Sequence, residues 1–370
     1  MKKFFCFCIL VSGFAQAQPS IVIGTLSPLS GPLSLAGEQL KLAVQLALDQ
    51  SKTRFEHLGY ELQLSPQDDT ANPEVGAAVA RRFLANDRMM AVIGGVNSGV
   101  TLVASQILSE DHLALIAPAT TANAITDRGL SNVSRVAARD TQQGEAAGRY
   151  IVGTLKAKTI VLLNDKTAYG AGLCAEVEKY VRSRKVSVLS SEGTEEQSNF
   201  APLVTKLQVL NPDVIYFGGT YPQIGTFLKQ LRLAGVSARV MGGHGLDSRG
   251  LIDIAGPSAK GVLYTTVSAP KDQLPRASRF FSDYQKAFGK AADSYGALAY
   301  DATNVALKAV EQLIRSNQPI TRMAVSQNIR SIHMEGITGP LRFDQKGDRV
   351  RPRVYVIELN PQLEPVVKAK

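Results

Sequence analysis

Histidine and cysteine often bind a metal ion or act as a base or nucleophile. The four histidines are dispersed, and none lies three or four positions from another histidine or a cysteine: His57, His112, His244 and His333. Compact zinc sites usually have such spacings. The chain also lacks a G-x-S-x-G elbow, a Walker A loop and a G-x-G-x-x-G motif after a predicted strand. We therefore predict no metal site, no cofactor and no enzymatic activity.

Hydroxyl side chains after two predicted strands could bind a carboxylate. Ser98 stands where a helix should begin, and Thr120 and Thr121 follow the proline-bent end of the run LIAPA. The start of a helix presents free backbone N–H groups and the positive end of its dipole, which attract anions. Each hydroxyl could instead cap a helix, a role that serine and threonine often fill. Together they predict a carboxylate site of hydroxyl and amide groups that needs no arginine.

Three apolar runs end on a pair of glycines followed by polar residues. They read VIGGVNSG (92–99), VIYFGGTYP (214–222) and RVMGGHGLD (239–247). In open α/β sheets ligands bind outside the carboxyl ends of the strands, and glycine removes the Cβ that would keep a ligand from the backbone. A single pair would indicate only a tight turn. Three pairs at equivalent positions favour a shared cleft.

The third of these runs contains His244. A metal role lacks partners at a workable spacing, and a catalytic role lacks a nucleophile. Two alternatives stay open, namely a residue of the turn or a polar contact in the cleft. Neutral imidazole can accept a hydrogen bond from an ammonium group, whereas the protonated form would repel it.

Short β-branched runs alternate with longer amphipathic stretches almost to the end of the chain. Strands are predicted at 20–26, 60–65, 89–96, 113–118, 159–164, 186–191, 214–218, 238–242, 261–267 and 353–358. Helices are predicted at 38–50, 73–86, 99–110, 144–155, 171–184, 200–209, 222–235, 273–289 and 297–316. This alternation predicts an α/β protein with mostly parallel sheets covered on both faces.

The first residues, MKKFFCFCILVSGFAQA, have the layout of a secretory signal. Two lysines precede a short apolar core and a small-x-small cleavage site, so residues 1–17 are predicted to be removed. Cleavage would leave Cys174 as the single cysteine, and a large apolar core must then hold the chain. We expect a monomeric periplasmic protein of two domains. The net charge of +9 is scattered along the chain and indicates a solvated basic surface rather than nucleic-acid binding.

The chain resembles the leucine/isoleucine/valine-binding proteins, which are periplasmic components of ABC importers. The matching stretches run in order from residue 20 to about 350: LSPLSGPLSLAGEQLKLAVQLALDQ, VIGGVNSGVTLVAS, IAPATTANAITDRG, RDTQQGEAAGRYI, LNDKTAYGAGL, IYFGGTYPQIGTFLKQLRLAGV, GLIDIAGPSAKGVL, YGALAYDATNVAL and GPLRFDQKGD. The resemblance implies a two-lobed type I periplasmic-binding-protein fold. Residues 18–138 and 268–349 would form the N-terminal lobe, and 139–267 and 350–370 the C-terminal lobe, with three interlobe crossovers.

The resemblance also implies a small ligand, a branched-chain or other hydrophobic amino acid, delivered to an ABC permease in the inner membrane. It assigns the ligand's carboxylate and ammonium mainly to the first lobe. The implied contacts are Ser98, Ala119, Thr120 and Thr121 from the first lobe, Tyr169, Thr220 and His244 from the second, and an aromatic wall at Tyr295. Tyr169 could equally be a packing residue at the start of a helix, and Tyr295 could be ordinary core.

Three positions depart from the family pattern. Ala36 replaces an aromatic residue near the cleft, and Thr220 replaces a tyrosine, although Tyr221 follows and could substitute. His244 replaces the acidic residue that pairs the ligand's ammonium. Either Asp140 or Asp247 takes over that role, or the ligand is an amide or an organic or aromatic carboxylate that lacks an α-ammonium. A ligand sensor on the same fold is a further alternative.

Overall fold

The computed structural model describes residues 18–370, and the predicted signal peptide lies outside the described residues. The strands are β1 (Ser20–Ser27), β2 (Glu61–Asp68), β3 (Met89–Gly94), β4 (Ala114–Ala117), β5 (Val133–Arg135), β6 (Thr159–Asn164), β7 (Ser187–Gly193), β8 (Val214–Gly218), β9 (Arg239–Gly242), β10 (Leu263–Thr266), β11 (Met334–Gly336), β12 (Gly339–Leu341), β13 (Tyr355–Leu359) and β14 (Pro365–Ala369). The helices are α1 (Ser34–His57), α2 (Pro73–Leu84), α3 (Ser98–Leu108), α4 (Ala124–Asp127), α5 (Asp140–Gly153), α6 (Ala168–Ser183), α7 (Ala201–Leu210), α8 (Tyr221–Leu233), α9 (Arg249–Ala255), α10 (Ser278–Phe288), α11 (Ser294–Arg315) and α12 (Arg322–Ser331). Every predicted strand and helix is present.

Two sheets organise the molecule. The first has the order β2-β1-β3-β4-β5 and is parallel throughout. The second has the order β14-β13-β10-β9-β8-β6-β7. Its strands β6 to β10 are parallel, whereas β13 and β14 are antiparallel to their neighbours. The structure therefore has two α/β lobes, one for each sheet.

Helices cover both faces of each sheet, and the side chains of a strand alternate between the two faces. In β8, Val214 and Tyr216 pack in the cluster that contains residues of α5 and α6. Ile215 and Phe217 point to the opposite face, where the ring of Phe217 lies 5.2 Å from that of Phe227 in α8. Burial on both faces explains why these strands are nearly continuous apolar runs.

The chain passes between the sheets three times. It leaves the first sheet after β5 and enters the second at β6. After β10 it returns, and α10, α11 and α12 pack against α1 and the strands of the first sheet. It then crosses again to form β13 and β14. The lobe boundaries predicted near residues 139, 268 and 349 stay a prediction.

Helix starts lie beside the carboxyl ends of strands and position the side chains of the cleft. The Thr167 hydroxyl accepts a hydrogen bond from the Gly170 N–H at 3.0 Å and caps α6. Asp293 caps α11 by accepting from the Gly296 N–H at 3.1 Å. Such caps satisfy N–H groups that have no partner within the helix. They fix the first turns that carry Tyr169 and Tyr295. Between residues 18 and 370, the helices are too short or too polar to cross a membrane.

Candidate ligand-binding cleft

A cavity of about 520 Å³ lies between the two lobes. Six of the nine predicted ligand contacts line it, namely Ser98, Ala119, Tyr169, Thr220, His244 and Tyr295. The other three predicted contacts do not line it, namely Thr120, Thr121 and Tyr221. Leu33, Val96 and Val100 give the cavity an apolar part, and Asp165 and Gln223 give it a polar part.

The start of α3 forms the first-lobe wall of the cavity. Asn97 precedes the helix in an extended conformation, and its side chain does not cap it. Ser98 is the first helical residue, and its hydroxyl accepts a hydrogen bond from the Ala122 N–H at 3.4 Å. The first N–H groups of a helix have no intrahelical partner. Ser98 is therefore not a cap, and the helix start is free to bind an anion.

The loop after β4 is held by a buried arginine. Arg135 is fully buried, and its guanidinium donates to the carbonyls of Thr121 and Ala122 at 2.9 and 2.7 Å. Asp348 neutralises it, with an N–O distance of 2.5 Å. The hydroxyls of Thr120 and Thr121 are buried and have no hydrogen-bond partner among the described residues. A ligand carboxylate or ammonium would satisfy them.

Asp140, the first residue of α5, is a buried carboxylate beside this loop. Its backbone N–H donates to the Thr121 carbonyl at 2.8 Å. Neither carboxylate oxygen has a hydrogen-bond partner among the described residues. Burial raises the pKa of Asp140 to about 7, while the nearby Thr121 hydroxyl and the charge of Arg135 oppose the rise. Asp140 thus has the chemistry to pair a cation.

His244 lies in a short 3₁₀ turn after β9 and is buried. Its ring stacks on Tyr295 with 4.7 Å between the ring centres, and neither ring nitrogen has a hydrogen-bond partner among the described residues. Burial lowers the pKa of His244 below 6.5, although Asp247 at 3.8 Å opposes this. His244 is therefore a neutral group that lines the cavity.

A second-lobe glutamine, which the sequence did not point to, positions His244. The side-chain oxygen of Gln143 accepts from the His244 N–H at 3.1 Å and from the Thr265 hydroxyl at 3.0 Å. It thereby ties the turn to α5 and β10. Glutamine in a helix carries no distinctive sequence signal, so this contact could not be recognised beforehand.

The glycines beside His244 serve close packing within the protein. The Gly245 N–H donates to the Tyr169 hydroxyl at 2.8 Å. A Cβ at Gly243 would lie 2.2 Å from the Leu173 side chain, and one at Gly245 would lie 2.3 Å from the Gly219 carbonyl. The ring of Tyr169 thus reaches the backbone because these positions lack a Cβ.

Contacts across the cleft join the lobes directly. The Tyr221 hydroxyl of α8 donates to the Pro32 carbonyl at 2.9 Å. The Asn123 side chain donates to Glu176 of α6 at 2.8 Å. Tyr295 donates to the His244 carbonyl at 3.3 Å. The predicted ligand contact at Tyr221 thus lies at a contact between the lobes.

Residues 18–370 contain no group of three or more histidine, cysteine, aspartate or glutamate side chains that could hold a metal ion. The cavity instead combines a helix start, polar side chains and aromatic walls. The unpartnered hydroxyls of Thr120 and Thr121 follow directly after its lining residue Ala119. Two α/β lobes with such a cleft define a binding protein for a small polar ligand.

Comparisons with known proteins identify the family. A family model described as "Periplasmic binding protein" matches residues 20–363. Leu/Ile/Val-binding protein homolog 2 of Brucella abortus (strain 2308) is 31% identical over 344 residues, covering 93% of this chain and 91% of the relative. The Leu/Ile/Val-binding protein of Escherichia coli (strain K12) is 32% identical over 346 residues, with 93% and 91% covered. The chain belongs to the periplasmic binding protein family.

A solved structure supports the same assignment. The leucine-binding protein of Thermotoga maritima superposes with a TM-score of 0.86 at 28% identity, covering 94% of this chain and 98% of that chain. The predicted family and the predicted two-lobed type I fold are confirmed. The family is one of solute-binding proteins.

Proposed function

We propose that the protein binds a free α-amino acid between its lobes, with leucine, isoleucine and valine as the first candidates. The observation that carries the proposal is the buried Asp140, which has no partner among the described residues and whose backbone N–H donates to the Thr121 carbonyl, two residues after the cavity-lining Ala119. The start of α3, which lines the cavity, provides the site for the carboxylate. An α-amino acid presents one carboxylate and one ammonium group, which complement these two features. The names of the relatives in Brucella and Escherichia coli support the choice of ligands.

Asp140 suits the ammonium better than Asp247 does. Asp247 accepts a hydrogen bond from the Thr266 hydroxyl at 2.5 Å and lines a separate, smaller cavity of about 150 Å³. Asp140 instead adjoins Thr121, whose hydroxyl is also unpartnered. An ion pair in this enclosed place would satisfy a carboxylate that burial otherwise disfavours.

The experiment is a calorimetric titration of the chain without residues 1–17 between pH 5 and 8. We expect leucine binding to strengthen as the pH rises, because Asp140, with a pKa of about 7, must lose its proton to pair the ammonium. Binding at pH 6 should release a proton. Binding of 4-methyl-2-oxopentanoate, the deaminated analogue of leucine, should not strengthen as the pH rises.

Two matched variants test which carboxylate pairs the ammonium and causes the pH dependence. Asp140→Asn should weaken leucine binding at pH 8 by about 1.5–3 kcal/mol, as expected for a hydrogen bond to a charged group, and abolish proton release. Asp247→Asn should retain both the affinity and the proton release. The opposite pattern would transfer the ammonium to Asp247.

A second candidate function is binding of a carboxylate or amide that lacks an ammonium group. His244 favours it, because a neutral imidazole stands where the family resemblance implies an acidic residue. If 4-methyl-2-oxopentanoate binds more tightly than leucine at pH 8, this candidate replaces the first.

The cellular role completes the proposal. Residues 1–17 would direct secretion to the periplasm, where a monomer would deliver its ligand to an ABC permease of the inner membrane. Binding without catalysis is supported by membership of a solute-binding family and by the absence of a recognisable catalytic motif. Turnover of leucine during prolonged incubation with the protein would contradict this role.

A further inference from the structure

The polar part of the cavity contains a carboxylate with one free oxygen. Asp165 follows β6 and lines the cavity. Its Oδ1 accepts hydrogen bonds from the N–H and the hydroxyl of Thr167 at 3.0 and 2.6 Å. Its Oδ2 has no hydrogen-bond partner among residues 18–370. One oxygen therefore shapes the turn, and the other is available to a ligand.

Gln223 of α8 provides a second free acceptor on the same wall. It is only 2% exposed and lines the cavity. Its side-chain nitrogen donates to the carbonyls of Thr194 and Glu196 at 3.1 and 2.8 Å. Carbonyl groups only accept, so these contacts define which end of the amide is nitrogen. Oε1 is buried and has no partner among the described residues.

The two acceptors converge beside Gly219, at the end of β8. A Cβ at this glycine would lie 3.2 Å from Oε1 of Gln223 and 3.4 Å from Oδ2 of Asp165. Because glycine has no Cβ, no side-chain atom of residue 219 stands beside the two oxygens at the strand end. An –NH₂ group carries two donors and can satisfy two such acceptors at once.

We propose that Asp165 and Gln223 form a subsite for the side-chain amide of the ligand. The inference rests on the proposed function, since it names the class of amino acid that the cleft prefers. The aliphatic stem would contact the apolar wall at Leu33, Val96 and Val100, and the terminal –NH₂ group would lie between the two oxygens. An aliphatic side chain can contact the same apolar wall but offers no donor to either oxygen, so an amide of similar shape gains over it.

Two ligand pairs of similar shape test this proposal by calorimetry on the chain without residues 1–17. Asparagine is compared with leucine, and glutamine with methionine, so that both lengths of side chain are covered. In at least one pair the amide should bind about ten-fold more tightly than its apolar counterpart, because two acceptors gain partners.

Asp165→Asn is the sharpest variant. Its Oδ1 can still accept from Thr167, but Nδ2 replaces the free oxygen and presents a donor to the ligand amide. The preference for the amide over its apolar counterpart should fall about ten-fold. Gly219→Ala, which places a methyl group between the acceptors, should lower the same ratio. Asp253→Asn, an exposed change on α9, is the control and should leave the ratio unchanged.

The outcomes separate this inference from the proposed function. If leucine and methionine bind as tightly as the amides, or if Asp165→Asn and Gly219→Ala both leave the ratio unchanged, the amide subsite is wrong and amino-acid binding stands. If none of the four amino acids binds, the proposed function and the subsite both fail.

Discussion

Ser98 combines two contacts at the point where α3 begins. Its hydroxyl receives the Ala122 N–H, and its backbone belongs to the free first turn of the helix. It thus connects the loop after β4 with the start of α3. A ligand carboxylate at this place would meet hydroxyl and amide donors together, which explains how the site can dispense with an arginine.

Ser98→Ala should weaken leucine binding by about 1.5–3 kcal/mol, the usual effect of removing a hydrogen bond to a charged group, while the fold remains intact. Calorimetry gives the affinity, and thermal unfolding monitors the fold. Ser109→Ala, at the other end of the same helix, is the control because its exposed hydroxyl only donates to the Gln106 carbonyl. Unchanged affinity in Ser98→Ala would remove this residue from the carboxylate site.

Residue types and their positions after strands pointed to a shared cleft and to Ser98 at the start of a helix, but left His244 open between the turn and the cleft; both residues line the cavity. Asp140 was open as one of two possible partners for the ammonium, because its burial depends on the packing of α5 against α6. Arg135 could not be predicted, since arginine is usually exposed. Its ion pair with Asp348 joins residues 213 positions apart, and no local pattern contains that information.

At the scale of elements, α8 contacts the first lobe through the hydroxyl of Tyr221. This group donates to the Pro32 carbonyl in the first lobe at 2.9 Å. The contact can exist only while the lobes are together. It should therefore stabilise the ligand-bound state and slow the release of the ligand.

Tyr221→Phe should raise the dissociation rate of leucine up to about ten-fold, because one neutral hydrogen bond contributes about 0.5–1.5 kcal/mol. Stopped-flow fluorescence of a labelled protein measures this rate. The control is Tyr300→Phe, whose hydroxyl bonds to Gln50 between α11 and α1, within one lobe. An equal change in both variants would indicate a general loss of stability and would argue against an interlobe contact.

The long elements could be predicted because hydrophobic periodicity identifies them. The short ones could not: β5, β11 and β12 have three residues each, fewer than a period-2 pattern requires. The short α9 and the largely polar α12 were missed for a similar reason. The sequence pattern identified the glycine pairs but did not distinguish the different roles of their members. Gly243 serves packing against Leu173, whereas Gly219 leaves two acceptors uncovered.

At the scale of the whole molecule, a network of charges ties the first and third crossings together. Arg139, just before α5, contacts Asp348 at 2.9 Å and Asp127 at 2.5 Å. Asp348 also pairs with Arg135 beneath the ligand-contacting loop. The network therefore connects the loop that would hold the ligand with the segments about which the lobes would move. The resemblance implies three crossings near residues 139, 268 and 349, but it does not imply the charges found beside two of these positions.

Small-angle X-ray scattering of the chain without residues 1–17, with and without saturating leucine, tests the central claim most directly. If the lobes close on a ligand held between them, leucine should reduce the radius of gyration, because closure brings two compact bodies together. Scattering curves that superimpose with and without leucine, while calorimetry shows that leucine is bound, would contradict closure of the cleft around the ligand.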